Sequence, residues 1–300
     1  MLILKGASHE VNAVRFTPDG RGLFTSTWRG GQLWADWASG GKPVVVAELA
    51  GGAAFQAFSP DGRYVLGAVR GNFTLYDQSA GTTTVLDPKF PASSVRYVTF
   101  TPDGRRVITS RQSSLTPQLQ LQCTQIEAPH PVVWNVPTRG LVARIVFLDT
   151  SRFVSLDNVG GAFVATMRDA GTGEAIGETR VSVPYWLTGL TTSPDRQRII
   201  GYHTAKFLVY QSADLAAAPV VVRNTSRKAF SGLAFHPAGR YLAATSNDAS
   251  VKLYDVATWE VTRTFDWSIG RLRSVAFSPD GTLAAAGGDK GLVVVWDFDE

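Results

Sequence analysis

Short stretches of alternating apolar and polar residues fill this chain, and turn residues bound them. Residues 11–16 read VNAVRF, residues 240–245 read RYLAAT and residues 272–277 read LRSVAF. Alternation with period two sends successive side chains to opposite faces of a strand. One string recurs between such stretches: FTPDGR (16–21), FSPDGR (58–63), FTPDGR (100–105), TSPDRQ (192–197), FHPAGR (235–240) and FSPDGT (277–282). A degenerate copy, FLDTSRF (147–153), keeps the Phe, the Arg and the following aromatic. Pro presets φ at the second turn position, Asp bonds to the nearby backbone and Gly accepts φ > 0. Strand, turn and strand predict a β-hairpin at each copy.

With the Pro position as anchor, the copies fall at 18, 60, 102, 149, 194, 237 and 279, and the steps of 42 to 47 residues give seven units that fill the chain. A third strand closes on an aromatic residue in LWAD (33–36), LYDQ (75–78), LVYQ (208–211), LYDV (253–256) and VWDF (295–298). In unit three the backward spacing to the next anchor assigns LQLQC (119–123) as the third strand, with Cys123 in the aromatic place and PVVWN (131–135) as the fourth strand. PVVVA (43–47) and PVVVR (219–223) take the same fourth place. In unit four the third strand is FVATMRD (163–169). The extra residues of units three and four fall between the second and third strands, in unit three near 112–117. MLILK (1–5) stands about as far before Pro18 as PVVV stands before its own anchor, so it is expected to supply the fourth strand of unit seven beside GLVVVWDFDE (291–300). The two ends of the chain then meet in one sheet, as in a complete domain.

Four strands per unit, a period near 42 and a Trp/Tyr-Asp close to the third strand resemble the WD-repeat (WD-40) β-propellers. AFHPAGRYLAATSNDASVKLYDVATWE (234–260) is the most typical copy, with Asp248 at the family's tight-turn position. The resemblance covers essentially the whole chain. It implies an all-β fold: a closed seven-bladed propeller of four-stranded antiparallel blades, one domain over residues 1–300, the N-terminal strand completing the last blade. It also implies a His–Ser/Thr–Asp–Trp hydrogen-bond set in each blade, and here that set is eroded. His9 has Trp28 where its Asp would stand, and Trp296 has Lys290. Stability is therefore expected from apolar packing between blades, including Phe16, Phe58, Phe100, Phe235 and Phe277 of the innermost strands.

Composition narrows the function. The net charge is +4, spread mostly as single arginines rather than as a basic tail. No signal peptide opens the chain, and no apolar run approaches the roughly 18–20 residues that span a bilayer. A single cysteine excludes an internal disulfide framework and leans the reading towards the cytoplasm. The four histidines fall in different places and no metal-binding spacing occurs, so no metal or cofactor is expected. Cys123 reads as a buried, inert thiol. Asp19, Asp61, Asp103 and Asp280 read as turn residues, and Arg21, Arg63, Arg105, Arg152 and Arg240 as repeat consensus.

The loops on the family's top face depart most from the consensus. They carry Trp28, Arg29, Arg70, Asn72, Arg111, Tyr185, Trp186, His203, Lys206, Arg227, Lys228, Arg271 and Lys290. Aromatics and arginine are enriched at interface hot spots. The expected function is a non-catalytic scaffold, monomeric on its own, binding an acidic peptide or protein through that face. Two alternatives stand beside it. One is an enzyme or small-ligand binder in the central channel, with Glu10, Asp157 and Asp289 as carboxylates. The other is nucleic-acid binding through the basic face, for which no stacking platform or recognition helix is visible.

Overall fold

The computed structural model describes residues 1–5, 9–27, 30–45, 57–69, 72–86, 94–112, 119–181 and 187–298. Strand β1 (Leu2–Lys5) precedes a first blade of β2 (Ala13–Phe16), β3 (Leu23–Thr27), β4 (Gly30–Trp34) and β5 (Val44–Val45). The second blade is β6 (Ala57–Phe58), β7 (Tyr64–Val69), β8 (Asn72–Asp77) and β9 (Thr82–Val85). The third is β10 (Val95–Phe100), β11 (Arg106–Gln112), β12 (Leu119–Gln125) and β13 (Val132–Pro137). The fourth is β14 (Leu141–Phe147), β15 (Arg152–Val159), β16 (Ala162–Asp169) and β17 (Ala175–Arg180). The fifth is β18 (Gly189–Thr192), β19 (Arg198–His203), β20 (Lys206–Gln211) and β21 (Val220–Arg223). The sixth is β22 (Phe230–Phe235), β23 (Tyr241–Ser246), β24 (Ser250–Asp255) and β25 (Val261–Asp266). The seventh, β26 (Leu272–Phe277), β27 (Leu283–Gly288) and β28 (Leu292–Asp297), is completed by β1. The closing register is antiparallel: Leu2 faces Val295, Ile3 faces Val294 and Leu4 faces Val293.

The described residues fall into two compact units. One comprises 1–49, 187–209 and 219–300, and the other 50–186 and 210–218. In the first, apolar side chains of successive blades interlock. Ile200, Phe207 and Val209 meet Phe230, Leu242 and Tyr254. Val251 and Leu253 meet Leu272, Val275 and Trp296, and Leu4, Val293 and Val295 meet Val11, Val14 and Trp34. In the second unit, Leu66, Phe73 and Leu75 pack on Val95, Val98 and Phe100, and Ile108, Leu121 and Cys123 pack on Val142, Ile145 and Phe153. A neighbour on each side buries both faces of a middle strand, so β3 is buried at every position while outer β25 alternates.

The recurrent turns bond to themselves. The Oγ of Thr17, Ser59, Thr101 and Ser278 donates to the Oδ1 of Asp19, Asp61, Asp103 and Asp280 at 2.5–2.6 Å, and Ser193 donates to Asp195. Each Asp oxygen then accepts the backbone N–H two residues on, at 3.0–3.1 Å. These bonds hold Asp19 and Asp195 below the usual carboxylate range, the hydroxyl bond being the largest cause and the backbone N–H the next. In the sixth blade His236 replaces the hydroxyl residue: its Nδ1 accepts the N–H of Ala238 at 3.1 Å, so Nε2 carries the proton towards the Gly281 carbonyl. Arg63 binds Asp77 at 2.7 Å and Arg152 binds Asp149 at 2.7 Å, as repeat-consensus side chains would.

Register corrects one assignment. The residue opposite Leu23, Val65, Leu242 and Ala284 is Trp34, Tyr76, Tyr254 and Trp296. The corresponding pairs in the third and fourth blades are Val107 with Thr124 and Phe153 with Arg168. Cys123 lies one position before the aromatic place, opposite Ile108. The backward spacing used to place it varies by two residues between units and cannot separate neighbours, whereas register can. In unit four the extra residues are not a loop. They lengthen β15 and β16 to eight residues each around a two-glycine turn, with φ of 59° at Gly160 and 88° at Gly161. In unit three, residues 113–118 lie outside the described residues.

The hydrogen-bond set is eroded as expected. Trp34 Nε1 donates to Thr25 Oγ1 at 3.0 Å, but the Trp296 Nε1 and the Tyr254 hydroxyl are buried without a partner. Trp296 is held instead by Trp267, at 4.5 Å between ring centroids, and by Phe265 at 5.6 Å. Cys123 is fully buried, and loss of hydration pushes its thiol up to about 12. Native protein is therefore expected to resist an aqueous disulfide reagent at neutral pH and to react with one equivalent once unfolded. Fast labelling of folded protein would contradict this burial.

Candidate functional site

The loops of the first unit are tied into a backbone-bonded series. The hairpin after β19 accepts from the following linker, with Asn224 N–H on the Ala205 carbonyl at 2.8 Å and Phe230 N–H on that of Thr204 at 2.7 Å. The hairpin after β23 donates from Asn247 to the Ala229 carbonyl at 2.9 Å. The hairpin after β27 donates from Asp289 to the Arg271 carbonyl at 2.9 Å, and Gly288 accepts from Val11 at 2.9 Å. Each linker is thus fastened to a hairpin, which limits the ordering cost of binding on this surface.

The acids here are engaged. Asp248 accepts from Lys252 Nζ at 2.5 Å, from Ser250 at 2.6 Å and from Ser246. Burial opposes its ionisation, but these bonds prevail and hold it well below the usual carboxylate range. Glu10 pairs with Arg273 at 2.8 Å. Asp289 Oδ1 accepts the Arg271 N–H at 3.0 Å. The cations Arg227, Lys228, Arg271 and Lys290 are exposed, and among the described residues no carboxylate lies within 4.0 Å of any of them. Lys290 stands against Gly270, where a β-carbon would come within 3.0 Å of its stem, and this places it beside Arg271. His203 and Lys206 are half-buried on either side of the turn at Thr204, whose φ is 47°.

The remaining predicted positions divide. Asn72 opens β8 in the second unit and is exposed. Trp28, Arg29, Arg70, Tyr185 and Trp186 lie outside the described residues. Arg111 departs from expectation. It lies within β11, is 1% exposed, and its Nε donates to Thr109 Oγ1 at 2.8 Å, so it does not present a surface contact. Of the carboxylates considered for the central channel, Glu10 and Asp289 of the first unit are held as above, and Asp157 of the second unit is buried beside Arg168 at 3.4 Å. No three His, Cys, Asp or Glu residues among the described residues stand close enough to hold a metal ion. Sequence reasoning missed Arg273 and Arg168, whose roles arise from cross-blade and cross-strand partners, and Lys252, which pairs with Asp248 four residues before it in the same hairpin.

Comparison with known proteins agrees with this architecture. The family model "WD domain, G-beta repeat" matches residues 221–255 and 259–297. The Gallus gallus "Serine-threonine kinase receptor-associated protein" is 24% identical over 209 residues, 67% of this chain and 54% of that protein. The Schizosaccharomyces pombe "UBP9-binding protein bun62" is 34% identical over 80 residues, 27% of this chain and 15% of that protein. This chain thus spans about half or less of these relatives. The β-propeller domain of Myceliophteria thermophila Cps50 (Swd1) superposes with a TM-score of 0.72 at 18% identity, over 97% of this chain and 98% of that one. No helix among the described residues is long and apolar enough to cross a membrane. The repeat model matches two consecutive repeats, and the likeness to a solved propeller over nearly the full length shows that this chain has a β-propeller fold carrying WD repeats at residues 221–255 and 259–297.

Proposed function

We propose that this protein is a non-catalytic interaction scaffold that takes an acidic peptide segment on the loops of the fifth, sixth, seventh and first blades. WD-repeat propellers generally serve as protein-interaction scaffolds, and two relatives carry names that describe association or binding. The observation that carries the reading is charge pairing. The loop acids are already engaged, while Arg227, Lys228, Arg271 and Lys290 are exposed without a carboxylate. An acidic segment would supply the missing counter-charges and steer its own approach.

Replacing Lys206, Arg227 and Arg271 together by Glu is expected to weaken binding of an acidic partner at least roughly tenfold, through the loss of several charge-assisted bonds. The melting temperature is expected to stay within a few degrees of wild type, because Arg227 and Arg271 are exposed and Lys206 is only half-buried. Affinity capture from native lysate with both forms, followed by titration of the recovered partner at two salt concentrations, checks this. Equal recovery by the reversed variant, or affinity indifferent to salt, would remove the proposal.

A further inference from the structure

Asn224 directly follows β21 and is 3% exposed. All of its hydrogen-bonding groups are engaged. Its N–H donates to the Ala205 carbonyl at 2.8 Å, and its carbonyl accepts the Arg227 N–H at 3.0 Å. Its Nδ2 donates to the Lys228 carbonyl at 2.8 Å, and its Oδ1 accepts the Ser226 N–H at 3.3 Å. These bonds close the turn in which Arg227 takes a φ of 60°, a conformation that its β-carbon disfavours. One buried amide therefore fixes the backbone on either side of Arg227 and ties it to the hairpin after β19.

Cations stand at each end of these bonds. Lys206 follows Ala205, Arg223 precedes Asn224, and Arg227 and Lys228 are bonded through their own backbones. Lys206 and Arg223 are direct partners in the antiparallel ladder of β20 and β21. Opposite residues of neighbouring strands share a face, and like charges placed so oppose each other at a cost to the sheet. Arg223, Arg227 and Lys228 are exposed and Lys206 is half-buried. Among the described residues no carboxylate lies within 4.0 Å of any of the four. The other basic pair is held less deeply, since the Asp289 bond to the Arg271 N–H lies at the surface.

Building on the acidic-peptide reading, we infer that Lys206, Arg223, Arg227 and Lys228 form the subsite that anchors the peptide's carboxylates, and that Asn224 is the positioning residue that presents them. Cations carried on a backbone that is already fixed need less ordering when the ligand arrives. A run of carboxylates laid over the Lys206–Arg223 pair removes the repulsion that the free sheet carries. Arg271 and Lys290, further along the same loop surface, are secondary contacts.

The test titrates a labelled hexaglutamate peptide into the full chain at several salt concentrations, well below the melting temperature. Wild type is expected to bind, more weakly as salt rises. Arg227→Gln with Lys228→Gln is expected to bind at least roughly tenfold more weakly and with a shallower salt dependence. Arg223→Gln is expected to lose affinity while melting at the same temperature or higher, because it relieves the like-charge pair. Asn224→Ala keeps every charge. Its affinity is expected to fall by roughly threefold or more with an unchanged salt dependence, the mark of lost positioning rather than lost charge. If Asn224→Ala does not fold, the comparison with Arg271→Gln plus Lys290→Gln decides, and that pair is expected to cost less than the pair at 227 and 228. Wild-type affinity in folded Asn224→Ala, or a greater loss from the pair at 271 and 290, overturns the anchor while leaving the scaffold reading in place. Absence of hexaglutamate binding by wild type at low salt overturns both.

Discussion

Deletion of residues 1–5 is expected to destabilise the protein by on the order of 5 kcal/mol and to make it aggregate. Leu4 is 2% exposed and packs with Val293, Val295, Val11 and Val14. Leu2 and Ile3 are half-buried on the same blade. Full burial of one such side chain contributes about 1.5–3 kcal/mol. The deletion also uncovers the backbone edge of β28 from Leu292 to Val295. That edge would be an unpaired apolar run, Leu292 to Val295, the kind that pairs with another chain. A loss of this size is comparable with the whole stability of an ordinary domain, about 5–15 kcal/mol. Denaturant unfolding and light scattering measure both effects, and Leu4→Asp offers a milder probe at full length. A deletion variant that stays monodisperse with an unchanged midpoint would show that β1 is dispensable.

The second large effect concerns Arg168. It occupies the aromatic place of the fourth blade and borders a groove of about 630 Å³ between β13 and β16–β17. Its Nε donates to Ser155 at 3.0 Å, one Nη to the Gly173 carbonyl at 3.1 Å and the other to Asp157 at 3.4 Å. Asp157 Oδ1 has no partner, and burial pushes this carboxyl above its ordinary value despite Ser155 and Arg168. Arg168→Met would leave the carboxylate buried and uncompensated, an arrangement that typically costs about 3–5 kcal/mol. The pH dependence follows from the direction of the shift. A raised folded-state value means that the folded protein holds this proton more tightly than the unfolded chain. The group therefore favours folding at pH below 3.8, its unfolded value, and that contribution is lost as pH rises through the folded value. The penalty in Arg168→Met should be largest near neutral pH and should shrink on acidification. Adding Asp157→Asn should recover much of it, because removing both charges is far less costly than removing one. Wild-type stability in the single variant at neutral pH would show that the pair is of no consequence.

The repeat was legible because its turn is self-sufficient. Ser/Thr, Asp and Gly bond within five residues, so the string that specifies each turn is the turn itself. Strand assignment and the pairing of β1 with β28 followed from the same phase. Burial was less legible. A polar residue in a strand normally marks a solvent face, but here neighbouring blades cover both faces, and Arg111 and Arg168 are both inside. The aromatic place was readable only to within one residue, as Cys123 and Thr124 show, since register depends on a partner strand. Candidate cations were visible as residues, whereas the state of the acids beside them was not. Arg273 meets Glu10 through tertiary contact, and Lys252 meets Asp248 four residues away only because the hairpin turns one onto the other.

The pairing of β1 with β28 also sets an order of events during synthesis. Leu2 must find Val295, and at roughly 5–20 residues per second the ribosome needs about 15–60 s to supply it. Throughout that interval β1 has no partner strand, and residues 1–49 wait for residues 187–300 of their own unit. Contacts this distant in sequence form late and slowly. The emerging chain therefore carries an unpaired apolar strand for most of its production. That makes Leu2–Lys5 a natural point of engagement for chaperones and the step at which a slowed ribosome would leave the protein most open to misassembly.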